Sequence, residues 1–171
     1  MSASIQISGL DVLQRKIEKL GSVAKRDLVE EIHAFCIDIQ RTAKSLAPAD
    51  EGNLRNQIQV NKDERGGEVV VNAKYAPFME FGTKQFAARY VASLPPDWQQ
   101  LASNFKGGGG SFDELLKNIT EWVRRKGIEA DLYFIALIIA RRGVEQRPYL
   151  YPAFKQHERE FIRRLQNLLK A

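Results

Sequence analysis

Residues 23–48 read VAKRDLVEEIHAFCIDIQRTAKSLAP, and this stretch decides the fold. Its apolar side chains, together with one threonine, recur every three or four residues: Leu28, Ile32, Phe35, Ile39, Thr42, Ala43 and Leu46. This spacing brings them to one face of an α-helix. Pro48 disfavours helical geometry at the residue before it, so the helix ends there. The sequence therefore predicts a long amphipathic helix from about Val23 to Leu46.

A β region is predicted directly after this helix. Residues 54–60 alternate between apolar and polar side chains, and residues 68–73 hold a run of three valines that suits a strand. The turn-forming cluster at 63–67 separates them, which predicts an antiparallel hairpin. Residues 75–81 contain Pro77 and are predicted to be an edge strand or a turn.

Further helices are predicted at both ends of the chain, over residues 9–20, 111–127, 132–142 and 153–169. Ser111 and Glu114 form a capping box at the start of the helix over 111–127. Gly127 ends that helix, and Gly143 ends the helix over 132–142. The helix over 132–142 is almost wholly apolar, so it is expected to be the more buried of the two. Residues 147–152 contain two prolines and are predicted to be extended.

Residues 84–110 differ in composition from the rest of the chain. They contain adjacent prolines at 95 and 96 and end in a run of glycines: Gly107, Gly108, Gly109 and Gly110. This pattern predicts an irregular insertion with a flexible glycine hinge, and a short helical turn near 97–105. The whole chain is predicted to be one α+β domain over 1–171. In it the long N-terminal helix packs on a small antiparallel sheet, with further C-terminal helices and a flexible insertion.

Composition excludes several classes of protein. The chain has 171 residues, 44% of them hydrophobic, and 26 basic against 21 acidic side chains give a net charge of +5. One cysteine excludes an internal disulfide, and two distant histidines argue against a metal site. The N-terminus lacks a signal-peptide pattern, and the longest apolar run, 132–140, is too short to span a bilayer. We expect a protein made in the cytoplasm, with no membrane partner and no cofactor.

Each candidate for chemistry also has a structural interpretation. Lys106 precedes the glycine run, whereas a P-loop requires Lys after it, so a hinge is favoured over a phosphate site. Cys36 with His33 one turn away resembles a nucleophile with a base, but a small buried residue is favoured. Glu80 stands between Met79 and Phe81, where it can act as a general acid, cap a backbone or pair with an arginine, and a structural role is favoured.

Three segments, in this order, resemble one known family. The first runs from Ala43–Pro48 through Gly52 to Asn53–Arg55, the second is Val71–Thr83, and the third is Arg147–Phe154. They resemble the gene-10-product family of a lambda-like coliphage, described as tail-component or head–tail joining proteins of tailed phages. The segment Trp122–Gly127 is also similar. Glu51 stands where the family usually has threonine, which puts the local turn contact in doubt.

The resemblance marks the family-motif and assembly residues: Pro48, Gly52, Leu54, Arg55, Tyr75, Ala76, Glu80, Phe81, Gly82, Thr83, Arg147, Pro148, Tyr149, Leu150 and Pro152. These residues can equally be fold determinants. Pro48 with Gly52 reverses the chain, Arg55 is placed to reach Glu80, and Phe81 is expected to pack inward. No catalytic role is required for any of them.

The function implied is structural. The resemblance implies a virion protein in head–tail joining or tail completion, assembled as a multi-copy homo-oligomeric ring at the neck. Its implied partners are the head-completion or adaptor, tail-terminator and tail-tube proteins, with non-specific contact to packaged DNA. Residues 84–111 are interpreted as an arm that orders on assembly. The alternatives are a nucleic-acid-binding or regulatory module that uses the basic helices, and an enzyme that uses Cys36 or Glu80.

Overall fold

The computed structural model describes most of the chain, with gaps: residues 3–4, 22–48, 53–105, 111–127, 129–168 and 170. Three features expected from sequence lie outside the described residues. They are the helix over 9–20, the chain reversal at Gly52, and the glycine hinge at 107–110.

The chain divides into two compact units. The first comprises Met1–Glu80 and Arg147–Ala171, and the second comprises Phe81–Gln146. The first unit contains β1 (Ala3–Ser4), α1 (Ser22–Leu46), α2 (Asn53–Asn56), β2 (Ile58–Asn61), β3 (Glu68–Val71), α3 (Ala76–Phe81, which ends at the boundary) and α8 (Leu150–Leu168). The second contains α4 (Lys84–Ala92), α5 (Pro96–Ser103), α6 (Phe112–Lys126) and α7 (Leu132–Arg142). One domain over 1–171 stays a prediction.

The sheet of the first unit is antiparallel, in the order β1-β3-β2. Ile58 of β2 pairs with Val71 of β3, and Asn61 pairs with Glu68. The predicted hairpin is therefore confirmed. Its first strand begins at Ile58 rather than Leu54, because residues 53–56 form the short helix α2. Leu54 and Ile58 are both buried, and alternation along so short a stretch does not separate a helical turn from a strand.

Helix α1 packs against both the sheet and α8. Phe35 of α1 stacks on Phe161 of α8 with ring centroids 4.0 Å apart, and Phe154 meets Phe35 edge-on at 5.9 Å. Thr42 Oγ1 lies 2.8 Å from His157 Nε2. The long helix on a small sheet, with helices following, confirms the predicted α+β class. Leu46, placed on the buried stripe by its spacing, is instead exposed.

The loop between β2 and β3 approaches α1 closely at Gly66. This residue has φ +118°, and a Cβ built on it would collide with the Ile32 side chain and lie 3.0 Å from Val29 O. Asp63 holds the same loop, since its carboxylate accepts from Arg65 N at 2.8 Å and its carbonyl accepts from Gly66 N at 3.1 Å. Glycine is therefore required at position 66 by backbone conformation and by space.

The second unit is helical where the sequence predicted an irregular insertion. Residues 84–92 and 96–103 form α4 and α5, and the expected helical turn near 97–105 is confirmed as part of α5. Trp98 is buried against Phe81, with ring centroids 6.5 Å apart. Pro96 begins α5, where a missing N–H costs nothing. The proline pair therefore starts a helix rather than preventing one.

Helices α6 and α7 form a hairpin in the second unit. Ser111 caps α6 by accepting from Glu114 N at 3.2 Å, and Gly127 ends it in a left-handed conformation, as predicted. Ile119 and Val123 of α6 pack with Ala136 of α7. The prediction that the apolar helix over 132–142 is the more buried is wrong, because three of its large apolar side chains are exposed: Tyr133, Phe134 and Ile138.

Candidate functional site

The second family motif forms a helix around Glu80. Residues 76–81 make α3, although Pro77 predicted an edge strand or a turn. Pro77 is the second residue of α3, and its missing N–H is tolerated there because first-turn amides have no partner within the helix. Glu80, near the end of α3, is only 1% exposed.

The Glu80 carboxylate caps the N-terminus of α8. Its Oε2 accepts from the backbone N–H groups of Tyr149 and Leu150, both at 2.8 Å. Its Oε1 accepts from Tyr151 N at 3.0 Å. One side chain of the second motif thereby satisfies three consecutive backbone donors of the third motif. Backbone capping, one of the structural roles expected for Glu80, is confirmed.

Pro152 completes this helix start. Helix α8 begins at Leu150, not at Ala153 as predicted, so Pro152 lies in its first turn. The first N–H groups of a helix have no carbonyl partner within it. Glu80 takes those of residues 149–151, and Pro152 has none to satisfy. The sequence does contain a signal for this arrangement. No Ser, Thr, Asp or Asn directly precedes α8, so its cap has to come from elsewhere in the chain.

Burial governs the electrostatics at this cap. Loss of solvent raises the pKa of Glu80 above its ordinary value, while the backbone N–H groups of Leu150, Tyr149 and Tyr151 act in the opposite direction. Burial, and then the nearby Glu80 carboxyl, raises the pKa of Tyr149. The positive end of the α8 dipole also faces the carboxyl. The three hydrogen bonds all come from backbone N–H groups, so Glu80 anchors the start of α8.

Neighbouring hydrogen bonds fasten the chain where it enters and leaves each unit. In the first unit Arg147 N donates to Met79 O at 2.7 Å. In the second, Thr83 N donates to Val144 O at 2.9 Å, and Val144 N donates back to Thr83 Oγ1 at 2.7 Å. Gly82, with φ +75°, makes the sharp turn in the chain that was expected after Phe81. Met79 and Glu80 of the second motif, which are adjacent in the chain, thus both hydrogen-bond to the backbone of the third motif.

The first motif does not join this cluster through the contact that was predicted. Arg55 lies in α2, not at the start of a strand, and its Nε donates to Ala47 O at 3.0 Å. The expected approach of Arg55 to Glu80 is wrong, because backbone N–H groups occupy the carboxylate. Arg55 instead holds the end of α1 near Pro48, while Leu54 is buried in the core. The expected inward packing of Phe81 is confirmed, since its side chain is buried.

The other family-motif positions support the same cluster in different ways. Tyr149 is fully buried, and Ala76 lies in the core of the first unit. Tyr75 is exposed, and Pro148 is partly buried. Burial describes their surroundings within the fold and does not test a role in assembly, so that role stays a prediction.

Cys36 lies in a setting that suppresses nucleophilic chemistry. The thiol is buried, and burial raises its pKa to about 11, with Asp63 and Glu68 adding to the effect. A nucleophilic cysteine requires the opposite shift, which yields thiolate near neutral pH. The structural interpretation of Cys36 as a small core residue is the one that the geometry supports.

Much of the positive charge on α8 is engaged with acidic side chains. Arg164 lies 3.1 Å from Glu31 and 3.3 Å from Asp38, and Lys155 lies 2.5 Å from Glu158. This pairing weakens the case for α8 as a nucleic-acid surface. Over the described ranges, no group of His, Cys, Asp and Glu is arranged to hold a metal ion. Within the same part of the chain, no helix has the length and apolarity to cross a membrane.

One comparison with known proteins gives a match. The model of the HK97-gp10-like family, described as “Bacteriophage HK97-gp10, putative tail-component”, matches residues 11–82. No curated protein and no solved structure matches the chain. The matched range contains the first motif and nearly all of the second, and it ends just after Glu80. Residues 11–82 are therefore similar to the HK97-gp10-like family, the same family that the sequence motifs resemble.

Proposed function

We propose that this chain is a structural virion protein of a tailed phage or prophage. It acts in head–tail joining or tail completion and assembles as a multi-copy ring at the neck. The observation that carries the proposal is the match of residues 11–82 to a tail-component family. The family points to a non-enzymatic role, and the buried states of Cys36 and Glu80 agree with it.

The Glu80 anchor extends this argument beyond the matched segment. Glu80 lies inside the segment, and the backbone that it caps belongs to the third motif, which lies outside it. The cap fixes α8 against the family segment, so the first unit presents a rigid surface. A ring of identical subunits joins through head-to-tail contacts between two different faces. Rigid subunits suit such contacts, because less conformational freedom is lost on assembly.

The proposed partners follow from a position at the neck. They are further copies of this chain, the head-completion or adaptor protein, the tail terminator and the tail tube. Packaged DNA passes through the neck, so non-specific contact with its backbone is part of the proposal. The protein is assembled in the host cytoplasm and resides in the virion, at the neck or at the head-proximal end of the tail.

Electron microscopy of lysates tests the proposal. The phage or prophage gene is deleted, and particles are compared by negative stain with and without a complementing copy. We expect filled heads beside separate tails, and intact particles after complementation. Tails of irregular length would overturn head–tail joining in favour of length termination. Normal infectious particles from the deletion strain would overturn the structural role altogether.

A further inference from the structure

Helix α7 in the second unit exposes a row of large apolar side chains. Phe134 is 58% exposed and Ile138 is 38% exposed, although both belong to a helix with few polar residues. They stand four residues apart and therefore share one face. Tyr133 beside them is 61% exposed and touches Phe112 of α6 at its edge. Four other apolar residues of α7 pack against α6: Leu132, Ile135, Ala136 and Ile139.

Such a helix is unusual on the surface of a soluble protein. A helix that is apolar on all sides is normally buried on all sides. Here α6 covers one side of α7, and Phe134 and Ile138 lie outside that contact. Exposed apolar rows of this kind mark interaction sites more often than scattered surface residues do. The charges at the two ends of the row indicate what covers it.

The row has opposite charges at its two ends. Asp131 caps the N-terminus of α7, where it accepts from Phe134 N at 3.0 Å. Arg141 and Arg142 form the last turn. At 100° per residue, Asp131, Phe134, Ile138 and Arg141 fall on one side of the helix. The order along this side is therefore acidic, apolar, apolar, basic.

Two copies of this face are complementary when they lie antiparallel, because the acidic end of each then meets the basic end of the other. The midpoint between Phe134 and Ile138 is position 136, and the midpoint between Asp131 and Arg141 is also position 136. A second α7 laid antiparallel with position 136 opposite position 136 places Phe134 against the other copy's Ile138. The same register places Asp131 against the other copy's Arg141, about 15 Å along the helix from its own Arg141.

We propose that this face of α7 binds the same face of a second copy of the chain, antiparallel and about a two-fold axis. The contact is isologous, since each copy contributes the same residues to it. It is distinct from the head-to-tail contacts of a ring and does not depend on the proposed function. One pair of helices covers a small area, so the pairing is concentration-dependent rather than permanent.

Sedimentation velocity over a concentration series tests the pairing. We expect the mass to rise from 19.5 kDa toward twice that value as concentration increases. Phe134→Glu should remove the rise, because it places an acidic side chain in the centre of the contact. Ile162→Glu, on the exposed face of α8, is the matched control and should leave the rise unchanged. A chain that stays monomeric throughout, or a Phe134→Glu variant that still dimerises, would overturn the proposal.

Cysteine cross-linking tests the register independently. In a Cys36→Ala background, Phe134→Cys and Ile138→Cys variants are oxidised separately and as a mixture. The antiparallel register brings position 134 of one copy near position 138 of the other, so the mixture should cross-link far more than either variant alone. Strong cross-linking between two copies of the Phe134→Cys variant would require position 134 of one copy to lie beside position 134 of the other. That result would contradict this register.

Discussion

Glu80 Oε2 lies 2.8 Å from the backbone nitrogen of Leu150, seventy residues later in the chain. Helix caps are usually supplied by the residue just before the helix. Here the cap comes from another helix, and a single carboxylate also serves Tyr149 and Tyr151. The start of α8 therefore depends on a distant side chain, which makes Glu80 the residue whose replacement is most informative.

We expect Glu80→Gln to destabilise the protein by about 1–3 kcal/mol, the cost of leaving a buried donor unsatisfied. Glutamine keeps the shape of the side chain but replaces one acceptor oxygen with an NH₂ group. That group would face a backbone N–H of the α8 terminus, so one hydrogen bond is lost and two donors meet. Urea unfolding at neutral pH followed by circular dichroism measures the change.

Glu160→Gln is the matched control for this substitution. Glu160 is exposed on the same α8 helix and lies 3.6 Å from Arg163. Its replacement should change the free energy of unfolding by less than about 0.5 kcal/mol. Equal effects at positions 80 and 160 would show that the buried cap contributes nothing specific.

The contribution of Glu80 should also depend on pH. Because burial raises its pKa, the folded state binds a proton more tightly than the unfolded chain does. The part of its contribution that depends on proton binding is therefore fully present below the ordinary carboxyl pKa of 4.5 and is lost as pH rises through the folded pKa. The hydrogen bonds from the three backbone N–H groups are the part that remains at neutral pH. The stability of the wild type relative to Glu80→Gln should decline over that interval. Urea midpoints of both proteins from acidic to neutral pH measure it, and a difference that grows with pH would contradict a raised pKa for Glu80.

The sequence predicted best where a pattern was long and local. The stripe from Leu28 to Ala43 predicted α1 because it repeats over several turns. The caps at Ser111 and Gly127 predicted α6 because each lies beside the helix that it ends. Short segments with proline were predicted wrongly, as at Pro77 and Pro152. Proline excludes the interior of a helix but not its first turn, and the sequence alone did not separate the two.

The Glu80 anchor was predictable only in part. Its apolar neighbours indicated a buried carboxyl, and a backbone cap was one of the roles considered for it. Its partners were not identifiable, because they are backbone N–H groups and carry no side-chain signature. The approach of Arg55 was inferred from charge, but a buried carboxylate with three backbone donors has no need of an arginine. The exposure of Phe134 was not predictable for a different reason. An apolar helix predicts burial, but its sequence does not show whether the chain itself contains the residues that would cover it.

Gly66 should not tolerate a side chain. We expect Gly66→Ala to cost about 1–3 kcal/mol for its positive φ and about 1–3 kcal/mol more for the collision with Ile32. Gly127→Ala is the matched control, because Gly127 also has positive φ, of +63°, but nothing lies within 4 Å of its Cβ position. That variant should cost only about 1 kcal/mol. Thermal unfolding of the two variants compares them, and equal losses would mean that the loop moves away from α1 without cost.

The stacked pair Phe35–Phe161 should carry much of the contact between α1 and α8. Phe161 is buried, whereas its neighbour Ile162 is 46% exposed on the same helix. We expect Phe161→Ala to lower the free energy of unfolding by about 3–5 kcal/mol through lost burial and a cavity. Ile162→Ala should change it by less than about 0.5 kcal/mol. Urea unfolding monitored by circular dichroism measures both. Similar effects at the two positions would place the stabilising face of α8 elsewhere, and the rigid first unit proposed for assembly would lose its support.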